Sequence, residues 1–594
     1  MDIEQIISEF QKKRARIQKF ADTVGGHNER VDFARSFCGH TLTAYWTDLC
    51  KRNNTSWDVH EPFFTLNEIP KNWMQFSSDI GSILAKLPFD ESNYLIGTLY
   101  TALLPKTARS DYGAYYTPPV LVNRLIDLVS RENFDWSNNK IMDLSCGGGA
   151  FISPVALKIL EELPGKDAVE TITHIKTHIE GFDIDPFAAW MSQVLVEIAL
   201  LAQCIEADTR LPRVVAVCNT LETFPQQGQE ADLVIGNPPY RKITLPEDLR
   251  KVYQRSLYGH ANLYGVFTDI AIRWTKPTGY IAYVTPTSFL GGKYFKALRG
   301  LLSKQAPPVS IDFITERKGV FEDVLQETML VVYARRKEER GGGKPKLVSV
   351  HSLKPNGCRT AAICNEVGLI PLPSNGEEPW LIPREQKQVS LFKNLVKMDR
   401  RLGSYGFDVN TGPLVWNRHK GQLRSEGEGG TLPIIWSESI TGEGSFSFSA
   451  ERTNHSPFIL PNKNQSHLIT SDPCILVQRT TAKEQKKRLL AAELPRSFIS
   501  KHGGVVVENH VNIIRHVNES PPFSLKAFTA LLNTTVLDQI FRLISGSVAV
   551  SAYELNALPL PDPECMAMLE ELVKSNASKE KIEKTVEEIY QRTQ

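Results

Sequence analysis

The run Ile141-Met142-Asp143-Leu144-Ser145-Cys146-Gly147-Gly148-Gly149-Ala150-Phe151 restricts the architecture more than any other stretch of the chain. An apolar strand ends in an acidic residue, passes through three glycines and enters an apolar helical stretch. Glycines let a backbone turn tightly and lie close to a ligand, and the free N–H groups opening the next helix point at that ligand. The third glycine of the dinucleotide fingerprint is absent, since Ile152 follows Phe151. A second strand, Gly181-Phe182-Asp183-Ile184-Asp185, ends in carboxylates just ahead of Pro186. An acid there is placed to bind ribose hydroxyls, and either carboxylate is equally placed to cap the helix starting at Pro186. Strands are predicted at 140–144, 180–184, 213–217, 231–236, 279–284, 309–314 and 328–334 with helical stretches between them, the alternation of a parallel α/β sheet.

The fourth of these strands runs directly into Asn237-Pro238-Pro239-Tyr240. Asn-Pro and Pro-Pro are ordinary turn formers, so a plain strand-to-loop turn is one reading. The chemical reading uses all four residues together. An Asn side-chain oxygen and a carbonyl from the rigid Pro-Pro turn can grip an exocyclic amine, while the Tyr ring stacks on a flat base.

With these motifs in this order, the chain resembles the gamma group of DNA adenine-N6 methyltransferases, which are class I S-adenosylmethionine-dependent enzymes. Gly113-Ala114-Tyr115-Tyr116-Thr117-Pro118-Pro119 comes first, then the glycine loop, then Asn-Pro-Pro-Tyr. Ala261-Asn262-Leu263-Tyr264-Gly265-Val266-Phe267, Tyr280-Ile281-Ala282-Tyr283-Val284-Thr285-Pro286 and Gly319-Val320-Phe321-Glu322-Asp323-Val324 also match. The likeness is dense over 105–340 and looser to 562. One departure is Asp-Leu-Ser-Cys-Gly-Gly-Gly where relatives often carry Asp-Pro-Ala-Cys-Gly-Ser-Gly; the acid and the loop glycines remain.

The resemblance implies a seven-stranded sheet with its last strand antiparallel, S-adenosyl-L-methionine as cofactor and double-stranded DNA as substrate. Asn237 and the Pro238 carbonyl would hold the two amino hydrogens of a flipped-out adenine, with Pro239 stiffening the turn and Tyr240 stacking on the base. Phe321 matches the family's second aromatic wall, against the alternative of a core aromatic after a strand. Thr117 matches the residue that holds the methionine carboxylate. Asp143, Ser145 and Gly147 would form the methionine pocket, and Asp183 would bind the ribose hydroxyls. Asn219 stands where relatives often use Asp to read the cofactor's adenine.

At 594 residues, 42% hydrophobic and 23% charged, the chain has the size and composition of a multi-domain globular protein. A net charge of +1 gives no bulk signal for nucleic acid, so a DNA surface must come from local clustering. Nine cysteines without a Cys-x-x-Cys pair argue for reduced thiols and against structural zinc, and no metal is expected. Without a basic start or a long apolar run, the expectation is a cytoplasmic protein with no membrane partner.

The expected organisation is an N-terminal helical region at 1–105, a methyltransferase domain at 106–345, a linker at 346–380, an α+β target-recognition domain at 381–563 and a C-terminal helix at 564–594. Arg335-Arg336-Lys337-Glu338-Glu339-Arg340-Gly341-Gly342-Gly343 cannot bury a core and is expected to be an exposed turn or linker just ahead of that boundary. In the later region, Arg479 and Lys487 of the basic run 478–488 are nominated for phosphate contact. Glu508-Asn509-His510-Val511-Asn512 and Ser545-Gly546-Ser547-Val548-Ala549-Val550-Ser551 resemble segments of methylase target-recognition domains. Three other readings stand beside this one: an RNA or protein-glutamine methyltransferase using the same tetrapeptide, a fused restriction-modification enzyme, and a non-catalytic DNA-binding subunit. No Gly-Lys-Ser/Thr phosphate loop is present, and a separate restriction endonuclease is the expected partner.

Overall fold

The computed structural model describes residues 2–592 except 114–115, 164, 225, 227, 229, 316–326, 337–346, 356–361, 374, 481–486, 518–520 and 545–548. Two compact units emerge: Met1–Pro286 with Ala297–Pro371, and Thr287–Lys296 with Leu372–Gln594.

The first unit opens with helices α1 (Ile3–Ala21), α2 (His27–Arg52), α3 (Lys71–Leu84) and α4 (Phe89–Leu103), followed by α5 (Lys106–Tyr112) and α6 (Pro119–Ser130). The apolar face of α1 is buried at Ile6, Ile7, Phe10 and Ile17, while Ile3 in the first turn stays exposed. Then come β1 (Ile141–Asp143), α7 (Ile152–Glu161), α8 (Ala168–His178), β2 (Ile179–Asp183), α9 (Pro186–Ala199), β3 (Val215–Val217) and β4 (Ala231–Gly236). Helix α10 (Leu263–Trp274) precedes β5 (Thr275–Pro286), β6 (Pro308–Ile314) and β7 (Thr328–Ala334).

These seven strands lie in the order β6-β7-β5-β4-β1-β2-β3. Strand β7 runs antiparallel between β5 and β6, and the remaining pairs are parallel. This is the class I methyltransferase sheet. It does not stop at seven strands. Beyond β6, strand β8 (Leu347–Pro355) pairs parallel to it and β9 (Ala362–Pro371) antiparallel to β8, giving nine. The linker expected at 346–380 is therefore mostly sheet. Its edge strand is exposed along most of its length, with only Val367 and Ile370 buried, so no apolar alternation advertised it.

Helix α9 explains how the N-terminal helices attach. It is buried from Phe187 to Ile198 because it lies between two cores. Ala189 and Val196 pack with the sheet residues Ile141, Ile179 and Leu233. Phe187, Trp190, Met191, Val194 and Leu195 pack with Phe10, Phe37, Trp46 and Leu99 of the N-terminal helices. Residues 1–105 and the sheet thus share one unit instead of forming separate domains.

The second unit is α+β. Strands β10 (Phe407–Thr411), β11 (Leu423–Arg424), β12 (Leu432–Ile435), β13 (Phe458–Ile459), β14 (Ile469–Thr470), β15 (Cys474–Gln478), β16 (Ala491–Leu494), β17 (Val505–Val507) and β18 (Val511–His516) follow in chain order. They form two sheets, β10-β18-β15-β16 and β11-β13-β12-β17-β14. Residues 287–296 are absorbed here because the Trp380 amide donates to the Leu290 carbonyl at 2.8 Å and Phe289 meets the Trp380 ring edge-on. The end of the chain holds two helices, Pro563–Lys574 and Lys579–Gln591, where one was expected, and Met566, Leu569, Val586 and Tyr590 bury them in this unit's core. Among the described residues, no helix is long and apolar enough to cross a membrane.

Candidate active site

Strands β4, β1 and β2 are parallel neighbours, so their carboxyl ends open onto one crevice, where α/β sheets bind ligands. Thr117, Ser145, Gly147, Asp183, Asn237 and Pro239 all line it, together with Tyr112, Gly113, Tyr116, Asp185 and others. Asp143 is not part of the lining; it is buried and bonds the amide of the lining residue Ser145.

The glycine loop is built as its composition requires. Gly147 and Gly149 take φ values of +52° and +81°, the left-handed region that side chains avoid. The Gly147 amide donates to Asp183 Oδ2 at 2.8 Å, which ties the loop to the second strand. Asp143 Oδ1 accepts from the Ser145 amide at 3.0 Å, while its buried Oδ2 has no hydrogen-bond partner. A Cβ on Gly236 would fall 2.6 Å from Asp143 Oδ1, so only glycine lets β4 pass this carboxylate. Burial pushes the Asp143 carboxyl up to about 8, with the Asp183 charge adding to the shift. Asp183 is pushed up to about 7, again mainly by burial and then by the charge of Asp185.

The two candidate acids at the tip of β2 have separate jobs. Asp185 caps α9, accepting from the Phe187 amide at 3.2 Å. It also accepts from Tyr100 Oη at 2.6 Å and Arg35 Nη2 at 2.9 Å, and is only 1% exposed. Its own amide donates to Asp183 Oδ1 at 2.8 Å. The N-terminal helices therefore hold the acid that holds Asp183. Arg35, Tyr100 and Asp185 as a network were not visible in the sequence, where they lie far apart.

At the tip of β4, Asn237 Nδ2 donates to Thr117 Oγ1 at 3.0 Å, joining the first motif to the tetrapeptide. Tyr240 Oη lies 2.5 Å from Asn237 Oδ1 and 2.9 Å from the Val284 carbonyl, and its single proton serves one of them at a time. The Tyr240 ring meets Tyr264 edge-on at 6.0 Å. Gly113, at φ +62°, packs on Pro239, and a Cβ there would lie 2.6 Å from that proline's Cβ. The Tyr116 ring closes over Gly148 and Gly97 and leaves about 50 Å³ free in the crevice.

Asn219 stands at the tip of β3, outside the crevice lining, and caps the short helix Thr220–Thr223 by accepting from the Leu221 amide. Phe321 lies outside the described residues, as do the loop 337–346 and most of the basic run at 481–486. In the second unit, Arg479 Nη1 donates to the Asn509 carbonyl at 3.0 Å and Lys487 Nζ to the Asn533 carbonyl at 2.6 Å. The three segments singled out there converge. The Arg479 amide donates to the His510 carbonyl, the Val550 amide to the Arg479 carbonyl, and Asn512 Nδ2 to the Val550 carbonyl at 2.7 Å.

The Eco57I restriction-modification methylase family matches residues 177–321, which contain the tip of β2, the Asn-Pro-Pro-Tyr turn and β5. The chain carries a restriction-modification methylase domain of the Eco57I type. The type II methyltransferase M.BsuBI of Bacillus subtilis is 24% identical over 79% of this chain and 91% of its own length. M.PstI of Providencia stuartii is 26% identical over 55% of the chain and 64% of its own length. The type IIL restriction-modification enzyme MmeI, solved in complex with DNA, matches the fold at a TM-score of 0.57 and 13% identity, covering 98% of this chain and 96% of that one. The methylase uses S-adenosyl-L-methionine as cofactor. The crevice suits it chemically: a buried carboxylate oxygen without a donor fits an ammonium group, and a carboxylate beside the open Gly147 fits a ribose diol.

Proposed function

We propose that the methylase transfers a methyl group to the N6 of an adenine rotated out of duplex DNA, within a restriction-modification system whose endonuclease is a separate protein. The observation that carries this is Asn237, seated at the end of β4, bonded to Thr117 and opening onto the glycine crevice.

Adenine N6 is a poor nucleophile because its lone pair is delocalised into the ring. Asn237 Oδ1 has a second lone pair beyond the contact with Tyr240 and accepts one amino hydrogen, while the Pro238 carbonyl accepts the other. Those two bonds draw the nitrogen toward sp3 character without a strong base, and positioning supplies most of the rate. Tyr240 stacks on the extruded base, a contact worth about 1–3 kcal/mol against the cost of unpairing. Thr117 fixes the Asn237 amide so that its oxygen faces the base. When bound, the cofactor supplies an electrophilic methyl on a sulfonium. Asp143 would hold its ammonium group, Asp183 its ribose hydroxyls, and Ser145 and Gly147 the backbone around the methionine. Entry requires the Tyr116 ring to swing away from Gly148, since 50 Å³ is far below a ligand pocket of about 300 Å³ or more. The second unit, with its convergent segments, supplies target recognition.

The test is methyl transfer from labelled cofactor to duplex DNA, RNA and protein in parallel, followed by identification of the modified base. N6-methyladenine in DNA supports the reading. Label on RNA or on protein glutamine refutes it. Asn237→Ala should lower transfer by about 10²–10³-fold while cofactor affinity stays within a factor of a few.

A further inference from the structure

One partly buried cluster of the first unit takes no part in the crevice. Asp312 on β6, His351 on β8 and Cys364 on β9 come from three adjacent strands at the far side of the sheet. Register sets His351 opposite Asp312, and Leu353 opposite Cys364. Side chains alternate along a strand, so all three project from one face. Their ligand atoms lie within 4.8 Å of one another. Asp312 has no exposed surface and His351 is 9% exposed.

Asp312 Oδ1 and His351 Nδ1 are 3.0 Å apart, an ion-pair distance. That separation is also close to the roughly 3.3 Å between N and O ligands about one tetrahedral ion. The other carboxylate oxygen accepts from Arg124 Nε at 2.6 Å. Such a donor fixes a carboxylate in single-oxygen coordination, as outer partners of metal ligands commonly do. Arg124 sits on α6, the helix that begins just after Thr117.

We propose that Asp312, His351 and Cys364 bind one divalent transition-metal ion, with water in the fourth position, and thereby staple the extension strands β8 and β9 to the methyltransferase sheet. A thiolate, an imidazole and a carboxylate together suit zinc. The thiol of Cys364 gives up its proton to solvent on binding, and no redox change is involved. The absence of Cys-x-x-Cys in the sequence does not bear on this site, because its ligands meet only through strand pairing.

The full chain, stripped with a chelator, is titrated with Co²⁺ as a spectroscopic substitute. The expected result is uptake of about one equivalent, a thiolate-to-cobalt charge-transfer band in the near ultraviolet, and its loss on adding Zn²⁺. Cys364→Ser, at an exposed position that folding tolerates, should abolish the band. His351→Gln should weaken binding by at least about tenfold, and Cys218→Ser should leave both unchanged. Zinc should raise the melting temperature of the parent but not of Cys364→Ser. Absence of stoichiometric uptake, or a band that survives Cys364→Ser, would overturn the proposal.

Discussion

Replacing Tyr100 with Phe isolates the link between the N-terminal helices and the cofactor crevice. The ring stays packed on Phe187, 4.3 Å between centroids, and only the hydroxyl that donates to Asp185 at 2.6 Å is lost. Asp185 keeps Arg35 Nη2 and the Phe187 amide but remains 1% exposed, so water cannot replace the missing donor. A hydrogen bond to a buried charge contributes about 1.5–3 kcal/mol, and with two donors left about 2 kcal/mol is expected. The two units need not unfold together, so a global transition is a poor readout. Hydrogen exchange of peptides covering β2 and α9 during urea unfolding reports on the first unit alone. Protection there should fall about 30-fold, the equivalent of 2 kcal/mol. Arg35→Met should destabilise similarly, and the double variant should depart from additivity by at least about 0.5 kcal/mol. Cofactor affinity should fall less, because Asp183 retains the Gly147 amide. Protection unchanged within about 0.5 kcal/mol would mean the hydroxyl does not hold the carboxylate.

Gly113→Ala combines a left-handed φ of +62° with a contact of 2.6 Å to Pro239, so transfer should drop about tenfold or more, read by steady-state kinetics. The raised carboxyls at Asp143 and Asp183, about 8 and about 7, exceed their unfolded values of about 4. Their contribution to stability is therefore complete below pH 4 and lost as pH rises through 7 to 8, which melting of the ligand-free protein across that window should show. A cation bound at Asp143 ionises it, so cofactor binding at pH 7 should release protons; calorimetry in buffers of different ionisation enthalpy measures this, and zero release would refute the assignment.

Much of the sheet was readable because each strand of a parallel sheet is a short apolar run punctuated by turn residues, as at Ile141–Asp143 and Ala231–Gly236. The edge was not, since β9 carries Cys364, Asn365 and Glu366 on a largely exposed ribbon. Residues of the crevice that belong to contiguous motifs, such as Thr117, Ser145, Gly147 and Asn237, came together. Supports that reach in from distant helices, Arg35 and Tyr100 above all, carry no local pattern. Asp183 and Asp185 were interchangeable in the sequence because a strand tip and a helix cap ask for the same residue type. Only the hydrogen bonds separate them. Arg479 and Lys487 stood out by charge density, a property blind to the carbonyls that engage them.

Helix α9 has a practical consequence for anyone trimming this methylase. Cutting away residues 1–105 would leave Phe187, Trp190, Met191, Val194 and Leu195 as a bare greasy slab on the outside of the catalytic half. Such a fragment should clump on expression even though every motif for chemistry is intact, so the amino-terminal helices have to travel with the remainder.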